Sequence, residues 1–131
     1  MDELSELRDL AEKLARSAGE LLLERLEGPR SDIRTKSSAT DMVSEVDHES
    51  QELIIAGIRA SRPADAILAE EGADLAGSSR YRWVVDPLDG TTNYLYGIPG
   101  WGVSIAAETA DGVVAGVVYD AVHKPQETAG G

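Results

Sequence analysis

The chain has no cysteine. That excludes a disulfide framework, a thiolate metal site and a thiol nucleophile, and it favours a reducing, cytoplasmic setting. No apolar run approaches the roughly 18 residues a membrane helix needs, and the first residues are acidic and amphipathic rather than basic and then apolar, so neither a span nor a signal peptide is expected. Basic residues are scarce: 12 Lys and Arg against 24 Asp and Glu leave a formal net charge of -12. Such a balance argues against a nucleic-acid-binding face and against binding to anionic membranes. Repeats and low-complexity segments are absent as well. The two histidines, His48 and His123, lie far apart, and neither follows a Ser or Cys elbow, so they are given no role. What remains is ordinary globular material, 131 residues with 42% apolar and 27% charged, enough for one domain with a core of its own.

Residues Asp2 to Glu27 place Leu4, Leu7, Leu10, Ala11, Leu14, Ala18, Leu21 and Leu22 at spacings of three and four, which predicts a long amphipathic helix stopped by Gly28-Pro29. Ser31 to Thr40 is polar and reads as an irregular loop, with Lys36 a solvated cation in it. Ser44-Glu45-Val46-Asp47 resembles a capping box and predicts a second helix from there to about Arg62, before Pro63. At such a helix start Asp47 has a bland explanation in the helix dipole. Ala66 to Ala69 reads as a strand ended by Glu70-Glu71-Gly72, and Gly77-Ser78-Ser79 as a loop. Gly102 to Glu108 and Val113 to Tyr119 read as two strands joined through Ala110-Asp111-Gly112, a strong hairpin signal. Together these predict an α+β fold, two long helices packed on a mostly antiparallel sheet.

The chemistry concentrates in Trp83-Val-Val-Asp-Pro-Leu-Asp-Gly-Thr-Thr-Asn93. Trp83 to Val85 reads as a buried strand with Asp86 at its end; Pro87 keeps Asp86 extended, and Asp89-Gly90 signals a turn. On a regular strand, residues three apart face opposite sides, so a bend is needed to aim Asp86 and Asp89 at one point. Thr91 to Tyr96 then has room for one helical turn before Gly97 and Pro99. The N–H groups of Gly90, Thr91 and Thr92 would lie at its N-terminus, where an anion is favoured. Carboxylates that want a cation beside amides that want an anion describe a metal-phosphate site. Bound divalent cations also reconcile a phosphate ligand with so acidic a chain.

Two strands end in acids, Glu70-Glu71 and Asp86 with Asp89, and neighbouring strands would bring those ends together. Hard oxygen ligands without Cys or ligand-spaced His point to Mg²⁺ or Mn²⁺ rather than zinc. Competing motifs fail on spacing. A calcium loop needs oxygen side chains at alternate positions, where this stretch has Asp86, Leu88 and Gly90; an aspartyl-phosphate phosphatase has its second Asp two residues on, not three. Trp83, Trp101 and Tyr94 are most simply core or rim aromatics.

The same residues resemble the inositol monophosphatase family of magnesium-dependent, lithium-sensitive phosphatases. Trp-Val-Val-Asp-Pro-Leu-Asp-Gly-Thr-Thr-Asn is preceded by Ala-Glu-Glu-Gly and followed by Gly-Ile-Pro-x-x-x-Val-Ser-Ile-Ala. The match extends from the first helix through Lys36-Ser37-Ser38, Thr40-Asp41 and Val46-Asp47 to Gly116-Val117-Val118-Tyr119. It implies that Glu70, Asp86 and the Leu88 carbonyl hold one metal and that Asp86 and Asp89 share a second. It also implies that Glu71, Asp47 and Thr91 position or activate the attacking water, with Lys36 in the catalytic group, and that the Gly90 and Thr91 amides beside Asp89 hold the phosphate. Mg²⁺, with Mn²⁺ as its substitute, is the implied cofactor, and a small phosphorylated substrate the implied partner. Homodimer assembly is a further expectation.

Members of that family are about twice as long, and their second half supplies a further Asp ligand and most contacts to the alcohol. Residues 1–131 are therefore expected to be the N-terminal, metal-binding half of a layered αβαβα sandwich. The leading function is Mg²⁺-dependent hydrolysis of a phosphomonoester, most simply inositol monophosphate, with this chain alone weakly active or inactive. Phosphatases for histidinol phosphate, nucleotide bisphosphates or fructose bisphosphate share the motifs. The rival from another class is a catalytically incomplete metal-binding or assembly module.

Overall fold

The computed structural model describes residues 2–27, 36–69, 72, 74–121 and 124–126; for residues 27, 36–40 and 124–126 only the backbone is described. Among these residues, three helices, α1 (Glu3–Glu27), α2 (Lys36–Ser61) and α3 (Thr91–Leu95), accompany six strands: β1 (Ala66–Ala69), β2 (Asp74–Leu75), β3 (Arg82–Asp89), β4 (Gly102–Thr109), β5 (Gly112–Asp120) and β6 (Lys124–Gln126). The strands form one sheet in the order β2-β1-β3-β4-β5-β6. Every neighbouring pair is antiparallel except β1 with β3. The expected α+β class, long helices on a mostly antiparallel sheet, is what the chain forms.

Helix α1 forms where the three-and-four spacing puts Leu7, Ala11, Leu14, Ala18 and Leu22 on one buried stripe. That stripe lies over β4 and β5, and α2 lies along β3. Leu4, counted in the expected stripe, is half exposed instead. Small residues set how closely the layers approach. A Cβ on Gly19 would meet the Tyr119 ring at 2.4 Å, and one on Gly57 would meet Leu14 at 2.3 Å. The sheet contributes Trp83, Val85, Val103, Ile105, Ala107, Ala115, Val117 and Tyr119 to the same core. The two-residue hairpin at Ala110-Asp111 is as expected, Thr109 pairing with Gly112, whose φ of 125° a side chain would resist.

Two expectations are corrected. Helix α2 begins at Lys36, not at Ser44, so Lys36 opens a helix rather than sitting in a loop, and the capping-box reading of Ser44 to Asp47 falls. The reason is the apolar stripe: Val43, Val46, Ile54 and Ile58 are all buried at helical spacing, and no Pro or Gly interrupts the segment upstream of Ser44. The second correction concerns β3, which does not end at Asp86 but runs on to Asp89. The expected bend is a bulge inside the strand. Strands β2 and β6, two and three residues long, were not anticipated.

One end of the sheet is held by a buried carboxylate. Asp65, 5% exposed, accepts hydrogen bonds from Arg62 Nε (2.8 Å), Ser79 Oγ (2.6 Å) and the Trp83 indole (2.9 Å). Beside it Tyr81 donates its hydroxyl to Glu3 at 2.7 Å, while Arg62 and Arg80 both lie over the Tyr81 ring. The start of α1 is thereby tied to the entry of β3.

Candidate active site

The opposite end of β3 carries the candidate chemistry. In the β3–β4 ladder Asp86 is opposite Ser104 and Asp89 is opposite Gly102: three steps along β3 match two along β4. Directly opposed residues in an antiparallel pair point to the same face, and positions two apart on β4 share a face. The one extra residue therefore turns Asp86 and Asp89 to the same side, which a regular strand would not do. That side is the row of Ser104, opposite the helix-facing Val103 and Ile105. Asp86 is half-buried and Asp89 exposed, while Pro87 and Leu88 between them are buried.

The turn after the bulge is tightly fitted. Gly90, the N-cap of α3, has φ 81° and ψ 44°, and a Cβ there would lie 2.4 Å from the Gly100 carbonyl oxygen. Among the described residues no side chain caps α3. Thr91 Oγ1 donates to the Leu88 carbonyl at 3.3 Å, and the Leu88 N–H donates to Asp86 Oδ1 at 3.3 Å. Asn93 Nδ2 closes the loop onto the Gly100 carbonyl. Tyr94, fully buried, packs edge-on against Trp101 at 5.0 Å and donates its hydroxyl to the Leu22 carbonyl of α1 at 2.7 Å. Trp83, Tyr94 and Trp101 are thus all core aromatics.

Helix α2 closes the site from the covered side of the sheet. Asp47, assigned above to a helix start, lies well inside α2 and is 7% exposed. A dipole explanation no longer applies to it. Ser50 and Gln51, one turn further on and also buried, extend the same polar patch. Ser50 Oγ donates to the Pro87 carbonyl at 2.8 Å, and Gln51 Oε1 is buried with no hydrogen-bond partner among the described residues. Arg25 of α1 pairs with Glu49 and, at 3.5 Å, with Glu45, so the two helices are clamped beside Asp47.

Of the expected site residues, Asp86, Leu88, Asp89, Gly90 and Thr91 form one continuous turn, and α2 brings Asp47 to the layer behind it. Glu70 and Glu71 lie outside the described residues, as does the side chain of Lys36. Ala69, which precedes Glu70, is the parallel partner of Val85, which precedes Asp86. Ser50, Gln51 and Tyr94 were missed as site-supporting residues. Ser50 and Gln51 lie inside the helix expected from Ser44 onward, but nothing in the sequence marks Ser50's partner, a backbone carbonyl on β3.

The donors suit a hard cation: two carboxylates on one face and a backbone carbonyl between them. Among the described residues no group of three or more ligating side chains gathers at one point. No helix among them is long and apolar enough to cross a membrane.

Comparison with known proteins gives the same direction. The model of the inositol monophosphatase family matches residues 3–129. The chain is 40% identical over 126 residues to the Nus factor SuhB of Pseudomonas aeruginosa, covering 92% of this chain and 46% of that protein. It is 39% identical over 133 residues to the inositol-1-monophosphatase SuhB of Mycobacterium tuberculosis, covering 91% and 46%. Among solved structures, the extragenic suppressor protein SuhB of Bartonella henselae superposes with a TM-score of 0.78 at 33% identity, over 94% of this chain and 48% of that one. Mycobacterium tuberculosis SuhB gives 0.75 at 34%, over 98% and 47%. This chain thus spans about half the length of the relatives it matches. With the family model matched along almost its whole length, the chain belongs to the inositol monophosphatase family.

Proposed function

We propose that this chain is the metal- and phosphate-binding part of an Mg²⁺-dependent phosphomonoesterase whose leading substrate is an inositol monophosphate. The observation that carries the reading is the bulge in β3, which turns Asp86 and Asp89 to one face immediately before the uncapped amides of α3. Family membership supports the reaction class.

In this reading Glu70, Asp86 and the Leu88 carbonyl would hold one cation, and Asp86 with Asp89 a second. Bound there, divalent cations supply polarisation of the phosphoryl oxygens and charge to meet the leaving alkoxide. The amides of Gly90 and Thr91, beside Asp89, receive the phosphate oxygens. The Thr91 hydroxyl, Asp47 and Glu71 orient the attacking water and draw its proton, with Lys36 balancing charge. Water adds to phosphorus as the bond to the alcohol oxygen breaks, and no covalent enzyme intermediate is required. The remaining length of the relatives would contribute a further acidic ligand and the contacts that choose the alcohol. A cytoplasmic homodimer belongs to the same reading.

The test measures phosphate release from inositol 1-phosphate with and without Mg²⁺, together with Mn²⁺ binding, for wild type and Asp86→Asn. The expected result is cation binding lost in Asp86→Asn, with turnover by the 131-residue chain far below that of its full-length relatives, because Mg²⁺ held by fewer carboxylates is loosely placed. Cation binding unaffected by Asp86→Asn would sink the proposal. Binding without any phosphate release would favour the second reading, a binding module, which rests on the chain spanning about half the length of the relatives it matches.

A further inference from the structure

We infer that Ser50 is a positioning residue for the cation site: held against the Pro87 carbonyl from α2, it fixes the bulge that sets Asp86 and Asp89 on one face. The inference rests on the reading of that turn as a cation site. Ser50 is 0% exposed, and its hydroxyl donates to the Pro87 carbonyl over 2.8 Å, joining residues 37 apart in sequence.

The ladder alone does not hold this point. Pro87 has no N–H to donate, and neither Pro87 nor Leu88 has a cross-strand partner between the Asp86–Ser104 and Asp89–Gly102 pairs. Their two carbonyls go to different side chains, Pro87 to Ser50 and Leu88 to Thr91. Thr91 is a neighbour within the same turn and moves with it. Ser50 ties the turn to a different element, a long helix anchored in the core and clamped to α1 through Arg25 and Glu49.

Ser50 works through the backbone rather than on the ligands. It stands on the helix-covered side of the sheet, whereas Asp86 and Asp89 share the row of Ser104 on the other side. Replacing it with alanine leaves a buried carbonyl without its donor at a position sealed from solvent, so the Pro87–Leu88 peptide must either stay unpaired or rotate towards another donor. Rotation changes the relative aim of the carboxylates on either side of it. Cation sites of this kind tolerate little of that, because the ligands must meet a near-octahedral shell.

The experiment titrates Mn²⁺ alone against the 131-residue chain, following free Mn²⁺ by electron paramagnetic resonance, and melts each protein without metal. Wild type is compared with Ser50→Ala, with Ser50→Cys, and with Ile58→Val, which removes buried material further along α2, away from the turn. The expected result is at least tenfold weaker Mn²⁺ binding for Ser50→Ala, an intermediate loss for Ser50→Cys with its weaker donor, and wild-type affinity for Ile58→Val. If Ser50→Ala does not fold, the Ser50→Cys comparison decides alone, on the same loss of affinity. Equal affinity in wild type and the Ser50 variants, even with lower melting temperatures, overturns the positioning role and leaves the proposed function standing. An equal loss in Ile58→Val overturns it too, because affinity would then simply track stability. Absence of Mn²⁺ binding by the wild type overturns the proposed function, and this inference with it.

Discussion

Asp86 and Asp89 are like charges turned to one side of a strand, an arrangement that costs stability until a cation is bound. Asp86→Asn is accordingly expected to raise the melting temperature of the metal-free chain slightly and to abolish the upward shift that millimolar Mn²⁺ gives the wild type; thermal melts with and without Mn²⁺ check both. Gly90 is bound to its residue type for two reasons, a positive φ and the Gly100 carbonyl where a Cβ would go. Gly90→Ala should therefore cost about 1–3 kcal/mol in urea unfolding, with the turn rather than the core disturbed. At this scale the turn that carries the candidate site was largely legible in the sequence, because Asp86, Asp89, Gly90 and Thr91 are contiguous. Asp47 was legible only through resemblance, since its own neighbourhood read as a helix cap. Ser50 was not legible at all. Its partner is a backbone carbonyl on another element, and no pattern of side chains records that.

Among the elements, α1, β1, β4, β5 and the end of α2 follow from periodicity and from the Pro and Gly residues that bound them. The start of α2 did not, because Lys36-Ser-Ser-Ala-Thr is polar and Ser44 imitates a cap; Val43 and Val46, one turn apart on the buried stripe, decide the matter through tertiary packing. The extension of β3 through Pro87 was equally hidden, since proline argues against a central strand unless a bulge releases it from the ladder. The Asp65 network supplies a test at this level. Burial pushes the Asp65 carboxyl up, but hydrogen bonds from Arg62, Ser79 and Trp83 outweigh it and hold the group below its ordinary value of 3.8. A carboxyl lowered in the folded state contributes stability that is complete above the unfolded pKa and is lost as pH falls through the folded one. Urea midpoints should thus drop more steeply below about pH 4 in the wild type than in Asp65→Asn, which itself should cost on the order of 3 kcal/mol at neutral pH. Parallel pH profiles for the two proteins would show that this network is not the acid-sensitive tie.

For the whole molecule, a net charge of -12 sets the background on which any ligand acts. Divalent cations are expected to stabilise the fold by mass action, about 2.7 kcal/mol at a hundred times the dissociation constant, seen as an upward shift of several degrees in the melt. Sodium chloride at matched ionic strength screens the same charges without filling a site and should give a much smaller shift. Equal shifts from MgCl₂ and NaCl would mean that general screening, rather than a formed site, is responsible.

The bond from Tyr94 to the Leu22 carbonyl and that from Tyr81 to Glu3 join residues 72 and 78 positions apart. Synthesis therefore delivers α1 long before these partners. As the chain leaves the ribosome, the stripe of Leu7, Leu14 and Leu22 can meet α2 early, but its seat on β4 and β5 does not exist until Gly102–Asp120 has emerged. For that interval the nascent chain presents an uncovered amphipathic helix, the kind of surface that chaperones retain and that associates with other unfinished chains. The turn carrying Asp86 to Thr91 is fastened to that helix through Tyr94, so the tie that holds the turn to the helix cannot form before α3 has emerged.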